Sequence, residues 1–248
     1  MNSETDNVVP LQYAQRHCNR SDLHPVCPAK LAGHKDELAA ASRHTHILER
    51  GEFLFRQGDK LQTLSVIHCG SLKGYFSTPN GLTYVTKFYL PGDVAGIDAL
   101  GNERHNSSAQ ALETTSYCRL ELHRSANDAC TSQVLNGYLL KLAGREMVNE
   151  SRRAVILAQR DAEVRLGLFL LQLSQHYAER GFSEREFNLS MSRRDIGSYL
   201  AMTMETVSRM FTHFQSAGFI NVDRRRVRLL SLARLRKMAS AELLFHEH

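Results

Sequence analysis

Between residues 122 and 133 the chain changes its period, and this constrains the fold more than any other feature. Before the change, glycine recurs at Gly51, Gly58, Gly70, Gly74, Gly81, Gly92, Gly96 and Gly101. The runs between are short and apolar, β-branched or aromatic: Glu52–Phe55, Leu64–His68, Leu72–Phe76, Thr83–Leu90 and Tyr117–Leu122. Short strands with regular turn signals close into a sandwich or barrel, and Pro79-Asn80-Gly81 is a hairpin turn. After the change, from Gln133 to Tyr177, glycines thin out and a helical period takes over. Leu140, Ala143, Met147, Glu150, Ala154, Leu157, Asp161 and Val164 step by three and four in alternation, which is the seam of a coiled coil.

The seam runs for roughly three heptads, enough for a helix that packs along its length against a second copy. The alternative is a helix lying on its own domain's core. Glu150 interrupts the apolar seam. In a symmetric parallel pair each axial residue meets its own copy, and two carboxylates at close range repel. Either Glu150 turns outward or pairs with Arg153, or it weakens the dimer so that a signal can switch it. The switch face would be Met147, Glu150, Ala154 and Leu157.

The C-terminal quarter carries the most specific pattern. Ser192 with Asp195 three residues later starts a helix by a capping box, and that helix runs to about Leu200. After a tight connection Thr203 can cap a second helix, which buries Val207, Met210, Phe211 and Phe214 and stops before Gly218. Two short helices with a tight turn make a helix-turn-helix. Ile220–Val222 and Val227–Leu229 then flank Asp223-Arg224-Arg225-Arg226, a two-stranded wing with a basic tip. On the second helix Glu205, Ser208 and Arg209 fall at i, i+3 and i+4, opposite the apolar stripe. Arginine can read guanine bidentately, glutamate can accept from cytosine N4, and serine can contact either strand. The alternative is a solvated face with an internal Glu205–Arg209 pair.

Charge agrees with a nucleic-acid partner. The net charge is +5. From Ser183 to the end there are 11 Lys+Arg and 7 Asp+Glu, so 11 − 7 = +4 of it lies in the last quarter. At 248 residues the chain is one large domain or two ordinary ones. Its polar start lacks the apolar stretch of a secretory signal. The densest apolar run, Leu166–Leu173, is far short of the roughly 20 residues of a membrane span, so a soluble cytoplasmic protein without a membrane partner is expected. The five cysteines, Cys18, Cys27, Cys69, Cys118 and Cys130, are odd in number and irregularly spaced, unlike a secreted disulfide framework.

The order of a β-roll, a long helix and a winged helix-turn-helix resembles the CRP/FNR family of bacterial transcription regulators. The FNR branch is nearest. The residues that carry the likeness are Ser108–Thr114 leading to Cys118, Arg180–Ser183 followed by Arg185–Phe187, and Met191 through Arg209. The resemblance implies an α+β fold: an N-terminal β-roll like the cyclic-nucleotide-binding jelly roll, a dimerisation helix and a winged helix-turn-helix. We assign 1–30 to an arm and cysteine loop, 31–132 to the roll, 133–160 to the dimer helix and 161–248 to the DNA-binding domain. It further implies a homodimer that reads TTGAT-type palindromes on double-stranded DNA through Glu205, Ser208 and Arg209. Thr203 and the wing residues Arg224, Arg225 and Arg226 would support that contact. Activation would also need RNA polymerase, touched by roll loops such as Thr78–Gly81. An acidic residue at the place of Glu150 holds the inactive form of FNR proteins apart.

The family's signals divide on a few residues. Cyclic nucleotide binding uses a Gly-Glu-Leu turn and a later Arg-Ser/Thr-Ala. This chain has Gly92-Asp93-Val94 and Asn106-Ser107-Ser108-Ala109, so the phosphate would lack its charged partner and no cyclic nucleotide is expected. The FNR branch holds an oxygen-labile 4Fe-4S cluster on four cysteines. Cys18, Cys27 and Cys118 match three of them, and Ser21 stands at the fourth place. Two readings stay open. The cluster is held with a fourth ligand among His17, Ser21, Asp22 and His24. Or it is absent, and the protein senses redox through its thiols or is constitutively active and controlled by abundance. Rival classes are a small-ligand module that does not bind DNA and a thiol reductase, but no C-x-x-C pair supports the latter and no enzymatic activity is expected.

Overall fold

The computed structural model describes residues 45–121 and 129–239, and gives only the backbone of 121 and 129–135. Cys18, Ser21 and Cys27 lie outside the described residues. The chain divides into two compact units. Of the described residues, one holds those up to Leu72 with those from Tyr89 to Tyr138, the other Lys73–Phe88 with those from Leu139 onward.

The first unit is built from short antiparallel strands. β1 (Thr45–Leu48), β3 (Thr63–Cys69), β6 (Val94–Ala95) and β8 (Thr115–Glu121) form one sheet in the order β1-β8-β3-β6. β2 (Phe53–Phe55) pairs with β7 (Ser108–Ala111). The register sets Ile67 opposite Tyr117, Val66 opposite Cys118 and Ser65 opposite Arg119. Side chains alternate along a strand, so Ile67 and Tyr117 share one face. There they join Leu48, Leu72, Tyr89, Ala95, Ala109 and Ala111 in the core. Cys118 takes the opposite face and is itself buried. Gly70 cannot be replaced, because a Cβ there would stand 2.5 Å from the Thr114 carbonyl oxygen and its φ is +82°.

The second unit begins with the hairpin formed by β4 (Leu72–Ser77) and β5 (Thr83–Tyr89). Its turn is the one expected from Pro79-Asn80-Gly81: the Gly81 N–H donates to Thr78 O at 2.9 Å, and Gly81 is left-handed at φ +82°. Helix α1 (Ala129–Ala158) starts four residues before the expected Gln133. α2 (Ala162–Ala178) buries Leu166, Leu168, Phe169, Leu170, Leu171 and Leu173, which explains the dense apolar run as a helix covered on nearly all sides. β9 (Glu186–Asn188), α3 (Arg193–Leu200), α4 (Met204–Ser216), β10 (Ile220–Asp223), β11 (Arg226–Leu229) and α5 (Leu232–Met238) follow. The wing is a three-stranded sheet of order β10-β11-β9. Its third strand, β9, was not expected; its three residues are too few to show an alternation. No described helix is long and apolar enough to cross a membrane.

Candidate nucleic-acid interface

Local rules build the reading head. The Ser192 hydroxyl accepts from Asp195 N–H while the Asp195 carboxylate accepts from Ser192 N–H, a complete capping box. α3 ends on Ala201 in the left-handed region at φ 53°, and Met202 N–H donates to Gly197 O at 2.8 Å. A Cβ on Gly197 would stand 2.6 Å from Met202 O, so glycine is what lets the chain turn this tightly. Thr203 caps α4 by accepting from Thr206 N–H at 3.1 Å. Val207, Phe211 and Phe214 are buried as expected, whereas Met210 is only half-buried. The helix ends in a Schellman motif. Phe219 N–H donates to Phe214 O at 2.9 Å, Gly218 N–H to Gln215 O at 3.1 Å, and the Phe214 and Phe219 rings lie 5.5 Å apart.

Glu205, Ser208 and Arg209 all lie exposed on the outer face of α4. The internal pair that their spacing allows is not formed; Arg209 turns toward Thr206 Oγ1, 3.5 Å away. Both charged groups therefore keep donor and acceptor capacity for an outside partner. At the wing tip Arg224 and Arg225 fill the two-residue turn, with Arg224 at φ 54°. Arg226 differs from its neighbours: with Arg228, whose Nε lies 2.8 Å away, it clasps the Glu186 carboxylate of β9. These hydrogen bonds, Arg228's first, hold the Glu186 carboxyl below its usual range.

Sequence reasoning missed two arginines that fix this head. Arg165 donates from Nε to Gln159 O at 2.8 Å and from Nη1 to Leu200 O and Ala201 O, both at 3.1 Å. It so ties the chain just after α1 to the turn between α3 and α4. Arg193 lies 3.4 Å over the Phe211 ring, and burial lowers its pKa. Apart from Gln159, their partners lie 18 to 36 residues away in sequence, so no local signal points to them.

On α1, Leu140 is 76% exposed and Met147 72%. Ala154 is exposed and Leu157 half-buried. Exposed apolar side chains in one row mark an interaction face. Glu150 is 51% exposed and sits 3.8 Å from Arg153 Nη1; burial pushes its carboxyl up. The other side of α1 meets the hairpin. Arg153 Nη2 reaches Val85 O at 3.4 Å, and its guanidinium lies 5.0 Å over the Tyr199 ring. Burial raises the Tyr199 phenol to about 12. Lys87 pairs with Glu146. The hairpin also grips α3, because Val85 N–H donates to Ser198 Oγ at 2.9 Å and Lys73 Nζ pairs with Asp195 at 2.9 Å.

In the first unit, the segment that would meet a cyclic phosphate is already engaged. The Asp98 carboxylate accepts from Asn106 N–H at 2.9 Å, from Ser107 N–H at 3.3 Å and from Ser107 Oγ–H at 3.2 Å, and His105 Nδ1 lies 3.2 Å from its other oxygen. Burial pushes this carboxyl up, but the His105, Asn106 and Ser107 donors outweigh it and hold the pKa below its ordinary value. Of the three matched cysteines only Cys118 is described, and it is buried. Cys69 is half-buried, and burial raises its thiol pKa. Among the described residues no group of three or more His, Cys, Asp or Glu could hold a metal ion. A ligand set for a cluster would have to draw on residues outside them.

Comparison with known proteins agrees with this architecture. Residues 45–126 match the cyclic nucleotide-binding domain and residues 164–238 the Crp-like helix-turn-helix domain. The transcriptional activator protein anr of Pseudomonas aeruginosa is 36% identical over 233 residues, covering 92% of this chain and 95% of that one. The fumarate and nitrate reduction regulatory protein of Escherichia coli K12 is 36% identical over 208 residues, 83% of each. Among solved structures FixK2 from Bradyrhizobium japonicum superposes with a TM-score of 0.71 at 24% identity, over 78% of this chain and 96% of that one, a likeness of fold. With relatives this similar along nearly its whole length, a roll, a long helix and a capped helix-turn-helix in the same order, the chain belongs to the CRP/FNR family of transcription regulators.

Proposed function

We propose that the protein is a DNA-binding transcription activator that responds to oxygen or redox state and reads a TTGAT-type palindrome as a homodimer. The observation that carries this reading is the outer face of α4: Glu205, Ser208 and Arg209 stand exposed and unpaired with one another on a helix capped at both ends. A rigid helix with a donor-rich arginine and an acceptor glutamate on one face is what major-groove readout requires. Thr203 at the cap and Arg224 and Arg225 at the wing tip meet phosphates. Arg226 contributes less because Glu186 already neutralises it. The relatives' printed names, an activator and a fumarate and nitrate reduction regulator, support the activator role.

The exposed row Leu140, Met147, Ala154 makes α1 the dimer contact, which would set the two recognition helices about 34–36 Å apart in successive major grooves. Glu150 tunes that contact through its own charge. Cys18, Cys27 and Cys118 are the sensing thiols. A cluster at this set would supply oxygen-labile redox chemistry, with Ser21 or a neighbour replacing one thiolate. The Asp98 carboxylate, occupying the Asn106 and Ser107 donors, favours a roll that does not take a cyclic phosphate. The activator is cytoplasmic, has no catalytic step, and touches RNA polymerase through the Thr78–Gly81 turn.

The test is fluorescence anisotropy on a TTGAT palindrome and on a scrambled duplex, with anaerobic and air-exposed protein. The palindrome should be bound much more tightly, with binding changed by air. Equal affinity for both duplexes would defeat base readout. Iron and acid-labile sulfide near four each per monomer would establish the cluster reading, and their absence the thiol or abundance-controlled one.

A further inference from the structure

The first unit contains a cavity of about 270 Å³ that nothing in DNA reading or thiol sensing uses. Its walls come from β2, β3, β8 and the loop before β3. Leu54 and Phe55 form the apolar side. The polar side is unusual in its donors: the Lys60 ammonium, the Arg119 guanidinium, the Thr63 and Ser65 hydroxyls and the Gln62 amide. Ser65 and Arg119 face each other across β3 and β8, so their side chains enter from the same sheet face.

Several of these groups have no internal use. Ser65 is only 4% exposed, yet neither it nor Thr63, Gln62 or Lys60 directs a side-chain hydrogen bond to another described residue. Ser65 Oγ is not fully enclosed, and Lys60 and Gln62 are exposed, so these groups open on the cavity, where water or a ligand can meet them. By contrast, the one acid of the wall, Asp59, is committed to the Arg56 N–H at 2.8 Å. Arg119 spends one nitrogen on Tyr117 OH at 3.2 Å and has four further N–H donors by its chemistry. Lys60 and Arg119 against Asp59 make the wall +2 − 1 = +1. The remaining wall is rigid: His105, 4% exposed, is stacked on Phe55 with centroids 3.6 Å apart and is held by Asp98.

We infer that this cavity is a binding site for a small anion, a carboxylate or a phosphate, held by Arg119 and Lys60 with Ser65 and Thr63 as hydroxyl donors. Donor-only cations beside hydroxyls select an anion over a cation. The volume lies below the ~300–1,000 Å³ of pockets that take drug-sized ligands, which limits the ligand to a small metabolite. Asn106 and Ser107, whose N–H groups Asp98 occupies, do not line it, although His105 of the wall is held by the same carboxylate. A ligand there would couple a metabolite level to a regulator whose other signal is redox.

The experiment is calorimetric titration of the full chain with sodium succinate and, separately, with inorganic phosphate at constant ionic strength, followed by the same titrations on Arg119→Gln, Lys60→Gln and Ser65→Ala. At least one anion should bind saturably, and the tighter of the two identifies the headgroup. Arg119→Gln should weaken it about tenfold or more, the worth of a charge-assisted hydrogen bond. Because Arg119 and Lys60 are exposed, their variants should melt like the parent, so lost binding would not be lost folding. No saturable heat with either anion, or parental affinity in both Arg119→Gln and Lys60→Gln, would overturn the site. No DNA enters the assay, so its failure leaves the DNA-reading proposal where it stood.

Discussion

The reading head and the roll reach their functional geometry by opposite routes. In the head, from Ser192 to Leu229, the contacts that start and stop the two helices join residues three to five apart: Ser192 with Asp195, Thr203 with Thr206, Phe214 with Phe219. In the roll the decisive contacts join distant residues: Ser65 with Arg119, Phe55 with His105, Ser71 with Thr115. The first kind of site can be read along the chain. The second exists only once the strands have paired. The same contrast separates the two faces of α1, whose outer row follows a heptad rule while its inner Arg153 answers to Val85 and Tyr199.

The largest effect should come from the centre of the head. Phe214→Ala empties a fully buried position that also supplies the helix-end ring contact, and should cost about 3–5 kcal/mol in chemical denaturation. A loss near zero would mean that the local caps alone hold the helix pair. Next is Arg209→Ala, which should weaken palindrome binding by about 1–3 kcal/mol while binding to random DNA is kept. Removing Thr203 as Thr203→Ala should lower stability by about 0.5–2 kcal/mol through the lost cap; thermal melting measures it, and no change would show that the turn is held by Arg165 instead.

Two smaller effects concern pH and have opposite signs. Asp98 and Asp195 have folded pKa values below the unfolded ones. Their contribution is therefore present above the unfolded value and lost as pH falls through the folded value. For Asp195 burial acts upward, but Ser192 and Lys73 outweigh it. Asp195→Asn should flatten the acid limb of the stability curve, and an unaltered curve would count against the Lys73 contact. Glu150 is the reverse case, since burial raises its folded pKa. Mild acid should stabilise the state in which it is buried, and Glu150→Ala should shift the monomer–dimer balance toward dimer at neutral pH. Sedimentation velocity reads both, and unchanged populations would remove Glu150 from the switch.

Much of the fold and of the candidate nucleic-acid interface was legible in advance. The change of period, the Pro79–Gly81 turn, both helix-turn-helix caps and the Glu205, Ser208, Arg209 face each rest on rules that act within one or two turns of chain. So does the exposed row of α1, because a 3-4 repeat places its residues on one face whatever they touch. Three residues could not declare β9 a strand, and only its register against β11 did so. That pairing brings Glu186 beneath Arg226 and Arg228, which is why three wing arginines that look alike in sequence are not equivalent. Arg165, Arg153 and Asp98 were equally hidden, since each serves backbone groups on other elements. The cavity behind Ser65 and Arg119 has no linear trace at all. Local hydrogen bonding and helical periodicity are properties of a segment and survive in the sequence. A site made by closing strands 54 residues apart, as Ser65 and Arg119 are, depends on the entropy lost in that closure being repaid by the whole core. Only the tertiary structure could decide it.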